Sequence, residues 1–140
     1  MTSAANKALI RRLYQQVFAD WNLDVIDELF DPTFRVSPSF PPGPEGVKQF
    51  YARLRAAFPD LRYVVNDIIA EEDKVVVRWT WHCTHRGTFR GIPPTGRQAS
   101  VTGMAIYRVA NGKCVERWVN LNMLGLLEQL GAGLDNPGPA

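Results

Sequence analysis

The chain of 140 residues is poor in several things. It has two cysteines, Cys83 and Cys114, too few for a disulfide framework. They read as free thiols, and the expected compartment is the reducing cytoplasm. It has two histidines, His82 and His85. With Cys83 they form no plausible metal site: Cys83 and His85 share a strand face, His82 points away, and no second Cys/His cluster exists, so no metal is expected. Charge of one sign is scarce. Sixteen Lys and Arg stand against fourteen Asp and Glu, a formal +2. Arg53, Arg55 and Arg62 are scattered among apolar residues, so there is no basic stripe for nucleic acid. No run approaches the roughly 18 apolar residues of a membrane span. The polar start, Met1 to Lys7, leads straight into an amphipathic pattern and does not resemble a secretory signal. There is no internal repeat, and the 11 glycines and 10 prolines stay below the share that marks low-complexity chains.

What is present is an ordinary globular balance, 46% hydrophobic and 21% charged. The length predicts one domain over 1–140, with an ordered core over about 6–131 and a flexible tail over 132–140. The first half has helical spacing. Leu9, Ile10, Leu13, Tyr14, Val17 and Phe18 form one stripe, with Asn6 as a candidate cap. A short helix after Asn22 stops at Asp31-Pro32. The Pro/Gly-rich stretch 37–46 reads as a loop bordering an opening. A third helix carries Val47, Phe50, Tyr51, Leu54 and Phe58. The second half alternates with period two: strands over 62–69, 75–84, 99–109 and 113–122, the last two joined by the hairpin signal Asn111-Gly112. A short terminal helix spans 124–130. The fold class is therefore α+β, helices packed on a curved, mainly antiparallel sheet.

The last strand divides into two sets. Val115, Arg117, Val119 and Leu121 are largely apolar; Glu116, Trp118, Asn120 and Asn122 mix an aromatic with amides. The uncharged amides suit a lined cavity, which would turn the apolar set outward against a second subunit. A two-residue hairpin loop would set Trp118 opposite Ala105, while a three-residue loop would shift every partner.

Several spaced blocks resemble the SnoaL-like polyketide cyclases: Gly43-Pro44-Glu45-Gly46-Val47, Ala57-Phe58-Pro59-Asp60-Leu61, the run Thr84 to Arg97, Val115-Glu116-Arg117-Trp118, and Leu124-Gly125-Leu126-Leu127 with Gln129-Leu130-Gly131. The resemblance implies the cone-shaped α+β barrel of the nuclear-transport-factor-two-like superfamily, with a helix-lined mouth, an apolar pocket and often a homodimer through the outer sheet face. In these cyclases a pocket Asp, four residues after the Trp of the Glu-x-Trp motif, works with a His in an intramolecular aldol closure. Here that position is Asn122, and the place of an early His falls near Ser37. An amide has no proton to exchange near neutral pH; it can only stabilise an oxyanion. Relatives proposed to hydroxylate anthracycline-type polyketides without a cofactor look Asn-bearing at the matching place.

Candidate catalytic residues are accordingly Asn122, His82 and Arg78, with Trp118, Asn120, Ser37, Tyr14, Phe18 and Tyr51 as candidate substrate contacts. Each has a plainer reading. The amides can satisfy backbone groups, His82 can be structural, Arg78 can be an ion-pair partner, and the aromatics can be core. His85 reads as a turn residue. Asp67 and Glu116, the mid-strand carboxylates, would serve as bases only if they faced the pocket. Ser37 lacks the surroundings of an acyl-enzyme nucleophile. The expected activity is cofactor-independent cyclisation or isomerisation of a hydrophobic, polyketide-like substrate through its enolate. Cofactor-free hydroxylation and ligand binding without catalysis are the alternatives. The expected partners are that small molecule and a second copy of the chain, with neither nucleic acid nor membrane.

Overall fold

The computed structural model describes residues 2–132. The tail expected over 132–140 lies, from 133 onward, outside them. Helix α1 (Ser3–Arg12) runs into a π-helical segment (Leu13–Ala19), followed by α2 (Asp24–Leu29) and α3 (Gly43–Ala57). Strands β1 (Arg62–Glu71), β2 (Lys74–Thr84), β3 (Gln98–Ala110) and β4 (Lys113–Leu121) follow, then α4 (Met123–Gln129). The strands form an antiparallel meander in the order β1-β2-β3-β4, open at both edges. Ile10, Leu13, Val17, Ile26, Phe30, Val47 and Phe58 from the helical half bury against Val75, Val77, Val101 and Tyr107 of the sheet. This is the α+β architecture expected from the two periodicities.

Local details differ. Thr2, not Asn6, caps α1: its Oγ1 accepts from the Ala5 amide at 3.0 Å. Asn6 lies inside the helix, buried, and donates through Nδ2 to the Glu72 carbonyl at 3.2 Å. α3 begins at Gly43, earlier than the proline-rich pattern implied, because Pro44 is tolerated in a first turn that has no amide partner anyway. Gly43 has φ +74°, and a Cβ there would meet the Pro32 carbonyl oxygen at 2.8 Å.

The decisive difference is in β4. The hairpin loop is the expected two residues, with Asn111 (φ 52°) and Gly112 (φ 74°) both left-handed and Ala110 paired with Lys113. Val109 pairs with Cys114, but Arg108 pairs with Glu116, so Val115 is an extra residue in a β-bulge. Trp118 therefore sits opposite Ile106, and Val119 takes the place opposite Ala105. One inserted residue exchanges the faces of everything beyond it. Cys114 is buried, and after the bulge it is Arg117, Val119 and Leu121 that face the helices. The expectation that Trp118, Asn120 and Asn122 line the interior is thereby corrected.

β2 alternates, with Val77, Trp79 and Trp81 buried. Arg78 and His82 are exposed and Thr80 half-buried on the opposite, outer face.

Candidate active site

Between the helices and the sheet lies a cavity of about 70 Å3 lined by Tyr14, Phe50, Tyr51, Tyr63, Trp79, Trp81, Tyr107, Arg117, Val119 and Leu121. Its geometry follows from three local devices. The π-helical segment brings Tyr14 and Phe18 to the same buried side, with their rings edge to face at 4.8 Å. Phe18 stands just behind the wall, stacked on Tyr63 at 4.2 Å and tilted against Tyr51 at 4.7 Å. Gly103, opposite Trp79 in the β2–β3 ladder, leaves room for the indole: a Cβ there would come within 2.7 Å of Trp79 Cζ2. The bulge at Val115 then turns Arg117 inward.

Arg117 is half-buried, and no acidic side chain pairs with it among the described residues. Its Nη1 donates to the Tyr51 hydroxyl at 2.8 Å, and its guanidinium lies 5.6 Å from the Phe50 ring centroid. Burial works against its charge, but the surrounding Tyr51, Tyr107 and Tyr63 phenols outweigh that and raise its pKa. Across the cavity the Tyr14 and Tyr107 hydroxyls are 2.9 Å apart and share one hydrogen bond. Burial raises the pKa of Tyr14, Tyr63 and Tyr107. It raises that of Tyr51 too, against the pull of Arg117. All four phenols therefore stay protonated near neutral pH. The Nε1–H of Trp79 is buried without an acceptor; that of Trp81 leans toward the Tyr63 hydroxyl without a well-formed bond. The wall thus offers N–H and O–H donors around one cation, and no carboxylate or imidazole is among the residues that line it. Such an arrangement stabilises negative charge on oxygen. It holds no evident base for carbon acids.

The candidate residues fall in several places. Tyr14 and Tyr51 are in the cavity wall and Phe18 supports it. Trp118, Asn120, Arg78 and His82 are exposed on the outer face. Arg78 pairs with Asp67 at 2.6 Å, and Glu116 pairs with Arg108, so neither mid-strand carboxylate faces the cavity. Asn122 follows β4 and caps α4, its Oδ1 accepting from the Gly125 amide at 3.0 Å. It borders an open outer groove with Arg78, Met104 and Asn120. His82 borders another groove, with Asp60, Arg62, Ser100 and Gln129. Ser37 lies in the loop before α3, its hydroxyl 2.8 Å from that of Ser39. The structure does not gather Asn122, His82 and Arg78 into one site. His85 is fully buried against Phe58, with Nδ1 3.0 Å from the Thr95 hydroxyl, and it ties down the 86–97 excursion. Arg117, Tyr63, Trp79, Trp81 and Tyr107 were not singled out from sequence. The available signal was Arg117, one charge within an otherwise apolar set.

An open antiparallel meander covered by helices thus encloses a small, donor-lined aromatic cavity. The family model of the SnoaL-like polyketide cyclases matches residues 8–130, and the chain belongs to that family. No curated protein matches the chain. Among solved structures, TsrD from Streptomyces laurentii is 27% identical, covering 94% of this chain and 98% of its own, with a TM-score of 0.85. AclR from Streptomyces galilaeus, a putative hydroxylase, is 33% identical over 93% of this chain and 83% of its own, with a TM-score of 0.79. IdmH from Streptomyces antibioticus, a putative polyketide cyclase, is 31% identical over 91% and 99%, with a TM-score of 0.76. The fold is that of the nuclear-transport-factor-two-like superfamily. No described helix is long and apolar enough to cross a membrane.

Proposed function

We propose that the protein is a cofactor-independent enzyme of polyketide-type metabolism that closes or isomerises a ring through the enolate of a hydrophobic, oxygenated substrate. The observation that carries this reading is the donor set around Arg117: a guanidinium without a counter-ion among the described residues, protonated phenols and an unpartnered indole N–H on apolar walls. Enolate oxygen gains charge as the carbon acid ionises, and fixed donors lower the energy of that state. The test is turnover of tricyclic and tetracyclic polyketides, with product detected by mass spectrometry. Arg117→Met is expected to cut turnover by about 10²-fold; unchanged turnover removes Arg117 from the mechanism.

Hydroxylation is the second reading. It is favoured by the want of a carboxylate or imidazole in the cavity wall and by the likeness to AclR. In that chemistry the enolate reacts with oxygen. Oxygen uptake matched to product supports it; undiminished anaerobic turnover rejects it.

The protein acts as a homodimer in this proposal. Ile69 (62% exposed), Met104 (54%), Trp118 (47%) and Ile106 (37%) give the outer sheet face an apolar surface suited to a second copy. A monomeric mass at micromolar concentration by light scattering overturns this. A reducing, cytoplasmic setting fits the two buried free thiols, Cys83 and Cys114.

A further inference from the structure

We infer that the cavity takes its ligand already ionised, as a planar anion whose single charge is shared by two oxygens: the enolate of a 1,3-dicarbonyl group carried on an apolar ring. The inference rests on the enolate reading above and adds the ionisation state in which the ligand arrives.

Three observations converge. Arg117 keeps its charge at any working pH, and no acidic side chain neutralises it among the described residues. A half-buried cation without a counter-ion has a desolvation cost that a bound anion offsets. Next, the wall has donors to spare. Trp79 Nε1–H is buried with no acceptor. The Tyr14–Tyr107 bond uses one hydroxyl hydrogen and leaves the other uncommitted. A neutral ketone satisfies few of these groups, whereas an anion with two oxygens satisfies several. Arg117 can donate to one of these oxygens while the indole and phenol donors face the other. Finally, no carboxylate or imidazole lines the cavity to take a proton from carbon. A simple ketone would stay un-ionised there. A 1,3-diketone held within a ring needs no protein base, because sharing the charge between two oxygens of a planar system makes it acidic enough to ionise in water near neutral pH.

The size agrees. About 70 Å3 corresponds to the liquid volume of roughly two waters. That admits the oxygenated end of a ligand and leaves the rest of a polycycle at the rim, where Phe50 and Val119 are partly exposed. Binding as a preformed anion also means that affinity follows the acidity of the ligand, not that of a protein group.

The test titrates the full chain with small probes, read by quenching of tryptophan fluorescence, since Trp79 and Trp81 are in the wall. The probes are 2-methyl-1,3-cyclohexanedione, which ionises, and its 2,2-dimethyl analogue, which cannot form the shared enolate. Benzoate and benzamide form the second pair. The ionisable dione is expected to bind at least about tenfold tighter than its analogue, with affinity rising through the pKa of the dione itself, and Arg117→Met is expected to erase the difference. Equal binding of the two diones overturns the inference. So does binding of benzoate without binding of the dione, which would assign the cavity to carboxylates. The comparison of ligands on the unaltered protein holds even if Arg117→Met fails to fold. Arg117-dependent turnover with no preference for the ionised dione would overturn the preformed anion and leave the enolate chemistry standing. A clear preference with no product from any polyketide would support the anion site and remove the chemistry.

Discussion

Tyr51 and Arg117 join α3 to β4 across the cavity, Nη1 donating to the phenol oxygen at 2.8 Å. This bond holds the guanidinium while leaving its other N–H groups for a ligand. Tyr51→Phe is expected to cost about 1.5–3 kcal/mol in urea denaturation, the range for a hydrogen bond to a charged group. It should also raise KM more than it lowers kcat, because Arg117 remains charged but less well placed.

Arg117→Met should separate stability from activity. Replacing a partly buried, uncompensated charge by an apolar chain of similar length is expected to leave the urea midpoint unchanged or raise it. Turnover should still fall by about 10²-fold. A parallel loss of both would mark Arg117 as a structural residue.

Deleting Val115 removes the bulge. The ladder becomes regular, with Glu116 following Cys114 and still opposite Arg108, so residues 116 to 121 keep their faces and Arg117 stays inward. A loss of only about 1 kcal/mol is expected by denaturation, with the Tyr51–Arg117 contact kept. Deleting Val115 and Glu116 together would set Arg117 directly after Cys114 and turn it outward, with Trp118 inward, and should cost about 3–5 kcal/mol. Equal effects would refute the role of the bulge.

Gly103→Ala places a methyl within 2.7 Å of the Trp79 ring. The expected cost is about 1–3 kcal/mol, the range for overpacking a filled site. Near-ultraviolet circular dichroism should change as the indole shifts. A native spectrum with an unchanged midpoint would contradict the contact.

Asp60 accepts from the Thr84 amide at 2.7 Å and its hydroxyl at 2.6 Å. Desolvation pushes its pKa up, but these bonds outweigh it and the net shift is downward. A carboxylate depressed in the folded state adds stability that is fully present above its unfolded pKa, about 3.9, and lost as pH falls through the lower folded value. Asp60→Asn should therefore destabilise at pH 7 and make little difference at the acid end. A constant difference across the titration would contradict this.

Much of the architecture was legible because its signals are local. Period-two alternation marked all four strands, and Asn111-Gly112 supplied the two left-handed residues of a tight hairpin. The cavity wall was harder to read. In β2, Trp79 and Trp81 alternate with Arg78, Thr80 and His82, and either set holds enough polarity to line a pocket. The bulge left no mark, since Val115-Glu116-Arg117 contains no glycine and the alternation runs on across it. That single residue decided whether amides or a guanidinium looked inward. The π-helical segment was equally silent, because its apolar spacing mimics an ordinary helix.

The Tyr14–Tyr107 contact has a consequence of its own. A bond between two hydroxyls runs equally well in either direction, so reversing it moves two hydrogens and no heavy atom. The interior can thereby present its spare hydrogen from the helical side or from the sheet, reorienting its polarity around whichever oxygen has arrived while the carbon framework stays still.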